Sequence, residues 1–161
     1  MYDKKTLIVG IGDYKVINNT NIILKTIALG SCVAIIFFCF NTNIIGMAHI
    51  ALPSSSINPV KALTMPAYFA DTGLNVLLKE MRRFDSNGKI TAKLVGGASI
   101  LDKQNFFNIG NRNVFVIKQI LQTLRIPILS EDVGGYISRT VTINNETKKV
   151  IISHKEKIWE I

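Results

Sequence analysis

The chain has 161 residues, a length that fits one domain and lets folding bury most of the apolar surface of the unfolded chain. Hydrophobic residues make up 48% and charged residues 19%, which excludes an acidic or low-complexity disordered chain. The formal net charge of +8, from 19 Lys and Arg against 11 Asp and Glu, favours an acidic partner.

Lys5 to Ile11 and Ile22 to Leu29 read as strands, separated by the polar turn Asn18-Asn19-Thr20-Asn21. Val33 to Phe40 and Ile44 to Leu52 form the next pair, joined through Asn41-Thr42-Asn43. Pro53-Ser54-Ser55-Ser56 ends that pair, with Ser54-Ser55-Ser56 reading as a solvated stretch and a candidate lining for a substrate groove, and a loop runs to about Thr64. Pro66 suits the first turn of a helix. Ala70, Leu74, Leu77, Leu78 and Met81 then recur at helical spacing as an apolar stripe, until Ser86-Asn87-Gly88 ends it. Ile90 to Val95 predicts a strand running into the tight turn Gly96-Gly97-Ala98. That turn lacks the Lys and Ser/Thr of a phosphate-binding loop and reads as a place of close backbone approach. After a loop holding Asn108-Ile109-Gly110, a second helix is expected from Asn113 to Leu124, with Val114, Ile117, Ile120, Leu121 and Leu124 on one face. Ile126 to Leu129, Arg139 to Ile143 and Lys149 to His154 read as further strands, with a hairpin turn at Asn144-Asn145 and a short C-terminal extension. The pattern is α+β: a layered α/β sandwich with mixed β-sheets, two main amphipathic helices and about seven strands, the helices covering one face of a mixed sheet. The whole chain, residues 1–161, reads as a single domain.

The chemistry concentrates at Leu29-Gly30-Ser31-Cys32-Val33 and Met47-Ala48-His49. A thiol becomes a useful nucleophile when a neighbour lowers its pKa or takes its proton, and an imidazole does both. Free cysteines also simply pack in cores, and Cys39, between Phe38 and Phe40, reads that way. The two cysteines lie seven residues apart on one strand, about 23 Å, so they cannot bridge each other, which points to a reducing compartment. Regular geometry does not make the dyad. A symmetric hairpin centred on Thr42 sets His49 opposite Ile35 and leaves Cys32 about 10 Å away along the strand. Leu29 to Cys32 must therefore leave regular strand geometry, with Gly30 supplying the freedom, and the N–H groups around Ser31 and Cys32 are then available to hold an oxyanion.

Taken together, several segments resemble one family. They are Gly10-Ile11-Gly12-Asp13-Tyr14; Thr26 with the Cys32 run; Gly46-Met47-Ala48-His49; Leu52-Pro53; Tyr68 to Thr72; Gly96-Gly97-Ala98; Asn108-Ile109-Gly110 with Arg112-Asn113; and Glu131-Asp132 with Gly134-Gly135 and Arg139. In this order and spacing they resemble the chemoreceptor glutamine deamidases of bacterial chemotaxis (CheD). The resemblance implies a cysteine-hydrolase-like site with Cys32 as nucleophile, His49 as base and Thr26 orienting the imidazole, the turn at Gly30 and Ser31 lending backbone support, and neither metal nor organic cofactor. It implies hydrolysis of glutamine side-chain amides on the cytoplasmic helices of methyl-accepting chemotaxis receptors, and a CheC-type phosphatase as a second partner. The chain departs from the pattern at Ala28, where Gly is expected, and at Asn41, where a turn Asp is common.

Other readings are a non-catalytic adaptor that regulates such a phosphatase, a receptor methylesterase, and a nucleic-acid-binding domain. The last should interleave aromatics with Lys and Arg, whereas here the aromatics sit mainly in apolar runs and the basic residues are scattered. His154, beside Lys155, reads as a surface histidine. Asp132, Gly134, Gly135 and Arg139 either flank the site or stabilise a bend. The N-terminal stretch lacks the pattern of a signal peptide and the longest apolar run has eight residues, so a cytoplasmic protein without membrane insertion is expected.

Overall fold

The computed structural model describes residues 4–101, 104 and 106–161. Its strands are β1 (Lys5–Ile8), β2 (Tyr14–Ile17), β3 (Ile22–Leu29), β4 (Val33–Cys39), β5 (Ile45–Ile50), β6 (Ile90–Gly96), β7 (Ile128–Val133), β8 (Arg139–Asn144), β9 (Val150–His154) and β10 (Lys157–Glu160). The helices are α1 (Pro59–Thr64), α2 (Ala70–Phe84) and α3 (Ile109–Thr123). One sheet runs β1-β3-β8-β9-β10 and the other β2-β5-β4-β6-β7. Both are mixed: β1 is parallel to β3 and β6 to β7, while the other pairs are antiparallel.

The architecture is the α+β sandwich with mixed sheets that the sequence predicts. The apolar stripes of α2 and α3 pack on one face of β4 through Val33, Ile35, Phe37 and Cys39. Its other face, through Ala34, Ile36 and Phe38, packs against Leu24, Val141, Ile143 and Ile152 of the second sheet. Both faces of β4 are therefore covered, which is why Val33 to Cys39 is an unbroken apolar run without the alternation of a half-exposed strand. Full burial of one such side chain, Phe37 for example, contributes about 2 kcal/mol.

Several boundaries shift. The stretch read as one strand to Ile11 ends at Ile8, and β2 forms beyond the Gly12 turn and pairs with β5. The C-terminal extension forms β10, paired with β9. The loop before Thr64 contains α1, opened by Pro59. Pro66 starts a single 3₁₀ turn, Pro66–Tyr68, ahead of α2. Ser54 and Ser55 are bound to Asp71 in the first turn of α2, with Ser55 donating to it from both N–H and Oγ, so this segment braces a helix start. The helix expected from Asn113 starts four residues earlier, at Ile109. Gly110, read as a loop residue, is helical because this turn packs directly on the Gly96-Gly97 turn: a Cβ there would stand 2.4 Å from the Gly97 carbonyl oxygen. The close approach expected of that turn is thus present. Among the described residues, no helix is long and apolar enough to cross a membrane.

Candidate active site

His49 lies on β5, directly opposite Ala34 of β4. The sequence placed it opposite Ile35, on the assumption of a hairpin symmetric about Thr42. The Cys39 N–H instead donates to the Ile44 carbonyl across the loop Phe40 to Asn43, with Asn41 in the left-handed region, so the register moves by one residue. That slip reverses the faces. Cys32 now precedes the partner of His49 by two residues, and both side chains lead into the layer between the sheets, where Cys32 packs at the edge of the apolar cluster.

Thr26 reaches His49 from the opposite sheet. It is fully buried, and its Oγ1 lies 2.7 Å from the Val9 carbonyl oxygen and 2.8 Å from His49 Nδ1. A hydroxyl has one proton, and the Val9 carbonyl can only accept, so Thr26 donates to Val9. Toward His49 it must then accept, which places the imidazole proton on Nδ1 and leaves Nε2 as a bare lone pair. His49 is 2% exposed, and its Nε2 is buried without a hydrogen-bond partner among the described residues. The backbone is held as firmly as the ring: the His49 N–H donates to the Asp13 carbonyl and its carbonyl accepts from the Gly12 N–H. Burial pushes the imidazole pKa below its ordinary value, against a smaller upward pull from the Val9 carbonyl.

Cys32 occupies a different setting. Residues 30–32 form a turn outside the strands, whereas Leu29, expected to leave the strand as well, stays in β3 opposite Arg139. The irregularity begins earlier, as a bulge in the β3–β8 pairing between Thr26 and Leu29 that keeps both side chains buried while Ile27 and Ala28 face solvent. The left-handed residue is Ala28, at φ 57°, and not Gly30, which lies outside that region. A glycine at position 28 would adopt this conformation without strain.

Each carbonyl of the turn is taken: Gly30 by the Ala98 N–H, Ser31 by Asn113 Nδ2 and Cys32 by the Gly97 N–H. Neither the Ser31 N–H nor, beside its own sulfur, the Cys32 N–H has an acceptor in another residue among the described residues. Burial raises the thiol pKa above its ordinary value, with that N–H pulling the other way. The sulfur and His49 are not hydrogen bonded to each other. Cys32 lines a cavity of about 560 Å³ walled by the 30–32 turn, residues 98–101, Phe107 and the start of α3. Thr26 and His49 are buried and do not line this cavity, so of the three candidate residues Cys32 is the one that meets it.

Two groups that bear on the site went unassigned in the sequence. The Val9 carbonyl has no sequence signal, because backbone acceptors carry none. Asn113 had one: it shares the buried face of α3 with Gly110, Ile117 and Leu121, a polar residue at a core position. Behind the pocket wall, the Arg139 guanidinium binds Asp132 and the Gly134 and Ile137 carbonyls, and Trp159 Nε1 donates to Asp132. This network stabilises the bend at Gly134-Gly135, whose Gly135 carbonyl accepts from the Ser99 N–H in the pocket wall. His154 is bound to Ser138, away from the site, and Cys39 is buried in the core. Both cysteines are free thiols. Among the described residues, no group of three or more His, Cys, Asp or Glu side chains comes together to hold a metal.

The family model described as CheD chemotactic sensory transduction matches residues 51–154. The chain is 42% identical over 150 residues to the probable chemoreceptor glutamine deamidase CheD of Syntrophotalea carbinolica, covering 91% of this chain and 93% of that protein. It is 38% identical over 148 residues to the chemoreceptor glutamine deamidase CheD of Halalkalibacterium halodurans, covering 89% and 90%. To the protein of the same name from Thermotoga maritima it is 36% identical over 146 residues, covering 90% and 89%.

Proposed function

Because the chain belongs to the CheD family, we propose that it is a protein-glutamine deamidase, hydrolysing glutamine side-chain amides on the cytoplasmic helices of chemotaxis receptors to glutamate with release of ammonia. Cys32 is the nucleophile, His49 the base and Thr26 the residue that orients it. The observation that carries this assignment is the pair of contacts at the Thr26 hydroxyl, to the Val9 carbonyl and to His49 Nδ1. With the hydroxyl proton given to Val9, His49 Nε2 is left as a buried lone pair with no competing donor among the described residues.

With the thiol pKa raised and the imidazole pKa lowered, the resting pair is neutral thiol and neutral imidazole, not thiolate and imidazolium. The proton therefore leaves sulfur as the amide is attacked. Rotation of the Cys32 side chain brings Sγ to Nε2, Nε2 takes the proton, and sulfur bonds to the carboxamide carbon. The developing oxyanion is met by the N–H groups of Ser31 and Cys32, already oriented by the bound carbonyls of their turn. The imidazolium, stabilised through Nδ1–H by Thr26 and Val9, returns its proton to the departing nitrogen. Ammonia leaves and a thioester remains. Water, deprotonated by Nε2, attacks that thioester, and the collapse frees the glutamate side chain and restores the thiol.

Residues 1–161 act as one domain in this scheme, since one sheet supplies Thr26 and the other His49. The net charge of +8 suits acidic receptor helices. The family also implies a CheC-type phosphatase as a partner that modulates the site. The deciding experiment incubates wild-type protein and Cys32→Ala with purified receptor cytoplasmic fragments and follows the amide-to-acid mass gain by peptide mass spectrometry. Conversion by the wild type alone is expected. Equal conversion by both overturns the nucleophile, conversion of methyl esters alone makes the protein an esterase, and no conversion of any receptor leaves the adaptor role.

A further inference from the structure

We propose that Asn113 is a positioning residue for the oxyanion site: by holding the Ser31 carbonyl from α3, it aims the Cys32 N–H at the substrate. This rests on the deamidase assignment above and names the group that prepares its transition-state contacts.

A trans peptide is planar, with C=O and N–H on opposite sides. The Ser31 carbonyl and the Cys32 N–H share one such plane, so whatever binds the first directs the second. Asn113 Nδ2 lies 3.0 Å from the Ser31 carbonyl oxygen. The preceding plane is treated alike, because the Ala98 N–H, 2.8 Å from the Gly30 carbonyl oxygen, directs the Ser31 N–H. Each of two successive amide planes is thus fixed by a contact at its carbonyl.

Asn113 does this for a second segment as well. Its Nδ2 lies 2.9 Å from the Ala51 carbonyl oxygen, two residues beyond His49 and just past the end of β5. One NH₂ group, with its two protons, therefore sets the spacing between the turn that carries the nucleophile and the strand that carries the base. An amide meets this demand where a carboxylate, which cannot donate, and a hydroxyl, with a single proton, do not. Packing alone does not account for the residue. It is 0% exposed, and its Oδ1 is buried without a partner among the described residues, a cost that an apolar side chain of the same shape would not incur.

The test compares two reactions of the same sulfur. Alkylation by iodoacetamide displaces iodide from a saturated carbon and forms no oxyanion. Acylation by p-nitrophenyl acetate passes through a tetrahedral oxyanion before nitrophenolate leaves. In Asn113→Leu, acylation of Cys32 should fall about 10- to 100-fold while alkylation, read by peptide mass spectrometry, changes by less than about 3-fold. Equal losses in both reactions would make Asn113 merely structural, and no loss in either would remove it from the site. If Asn113→Leu does not fold, Asn113→Ala leaves room for a water to bridge the two carbonyls. The same separation of rates, smaller in size, is then expected, and parallel rates overturn the proposal. Failure of wild-type protein to convert receptor glutamines would sink the deamidase assignment, whatever the ratio does. An unmoved ratio beside wild-type turnover would sink the role of Asn113 alone.

Discussion

The two halves of the candidate site are built by opposite rules. Around His49 everything is enclosed: the ring sits between two sheets, its backbone is bound on both sides, and its Nδ1 meets a threonine whose proton is already committed. Around Cys32 the backbone is exposed to a cavity, its carbonyls bound behind it and its N–H groups turned away from those bonds. A base must keep one tautomer and one lone pair through the whole cycle, which calls for a dry, rigid setting. A nucleophile must meet substrate, swing toward the base and carry an acyl group, which calls for an open wall with a fixed frame. The apolar run of β4 joins them, buried on both faces and rigid enough to set one against the other.

The comparison breaks most severely if the enclosed half is emptied. His49→Gln removes the proton acceptor, and turnover on receptor fragments should fall by about 10²- to 10⁴-fold. In Thr26→Val the base remains but loses its acceptor at Nδ1, so kcat should fall by about 10- to 100-fold with KM little changed, and Thr26→Ser should restore most of it. Steady-state kinetics on the two variants separates orientation from packing.

Protonation sharpens the contrast further. A neutral pair makes Cys32 slow to alkylate at neutral pH, with the rate climbing only on the alkaline side of the ordinary thiol range; a high plateau through neutrality would instead reveal a thiolate–imidazolium pair. Stability carries the matching sign. The folded-state imidazole pKa lies below that of the unfolded chain, so as pH falls through the ordinary histidine range the unfolded chain binds more protons and stability is lost. Urea melts of His49→Gln should show less of that loss. The smallest effect lies at the bulge. Ala28 sits at φ 57°, and Ala28→Gly should raise stability by about 0.5 to 1 kcal/mol, the relief of left-handed strain less the extra freedom of the unfolded chain. Thermal or urea denaturation measures it.

Much of this was legible in residue order. The stripe of α2 and the apolar run of β4 are periodic signals of burial, and the structure buries Leu74, Leu77 and Met81 as their spacing requires. What was missed depended on partners distant in sequence. The strand order of the sheet over β4 brings together segments as far apart as Leu24 and Ile152, which no local pattern relates. The register of His49 turned on how many residues one loop spends, a matter of Asn41 accepting a left-handed conformation. Thr26 became interpretable only through the family resemblance, because a strand threonine looks the same whether it meets solvent or an imidazole. Gly110 misled because a glycine needed for close helix packing and a glycine in a loop are identical letters.

The claim on which the rest depends is that Thr26 and Val9 hold His49 as a neutral Nδ1–H imidazole with a free Nε2. Nitrogen-15 NMR of the imidazole in wild-type protein at neutral pH, assigned through His49→Gln, reads that state directly. A protonated Nδ1 beside an unprotonated Nε2 is the expected result; a proton on Nε2, or on both nitrogens, would contradict it.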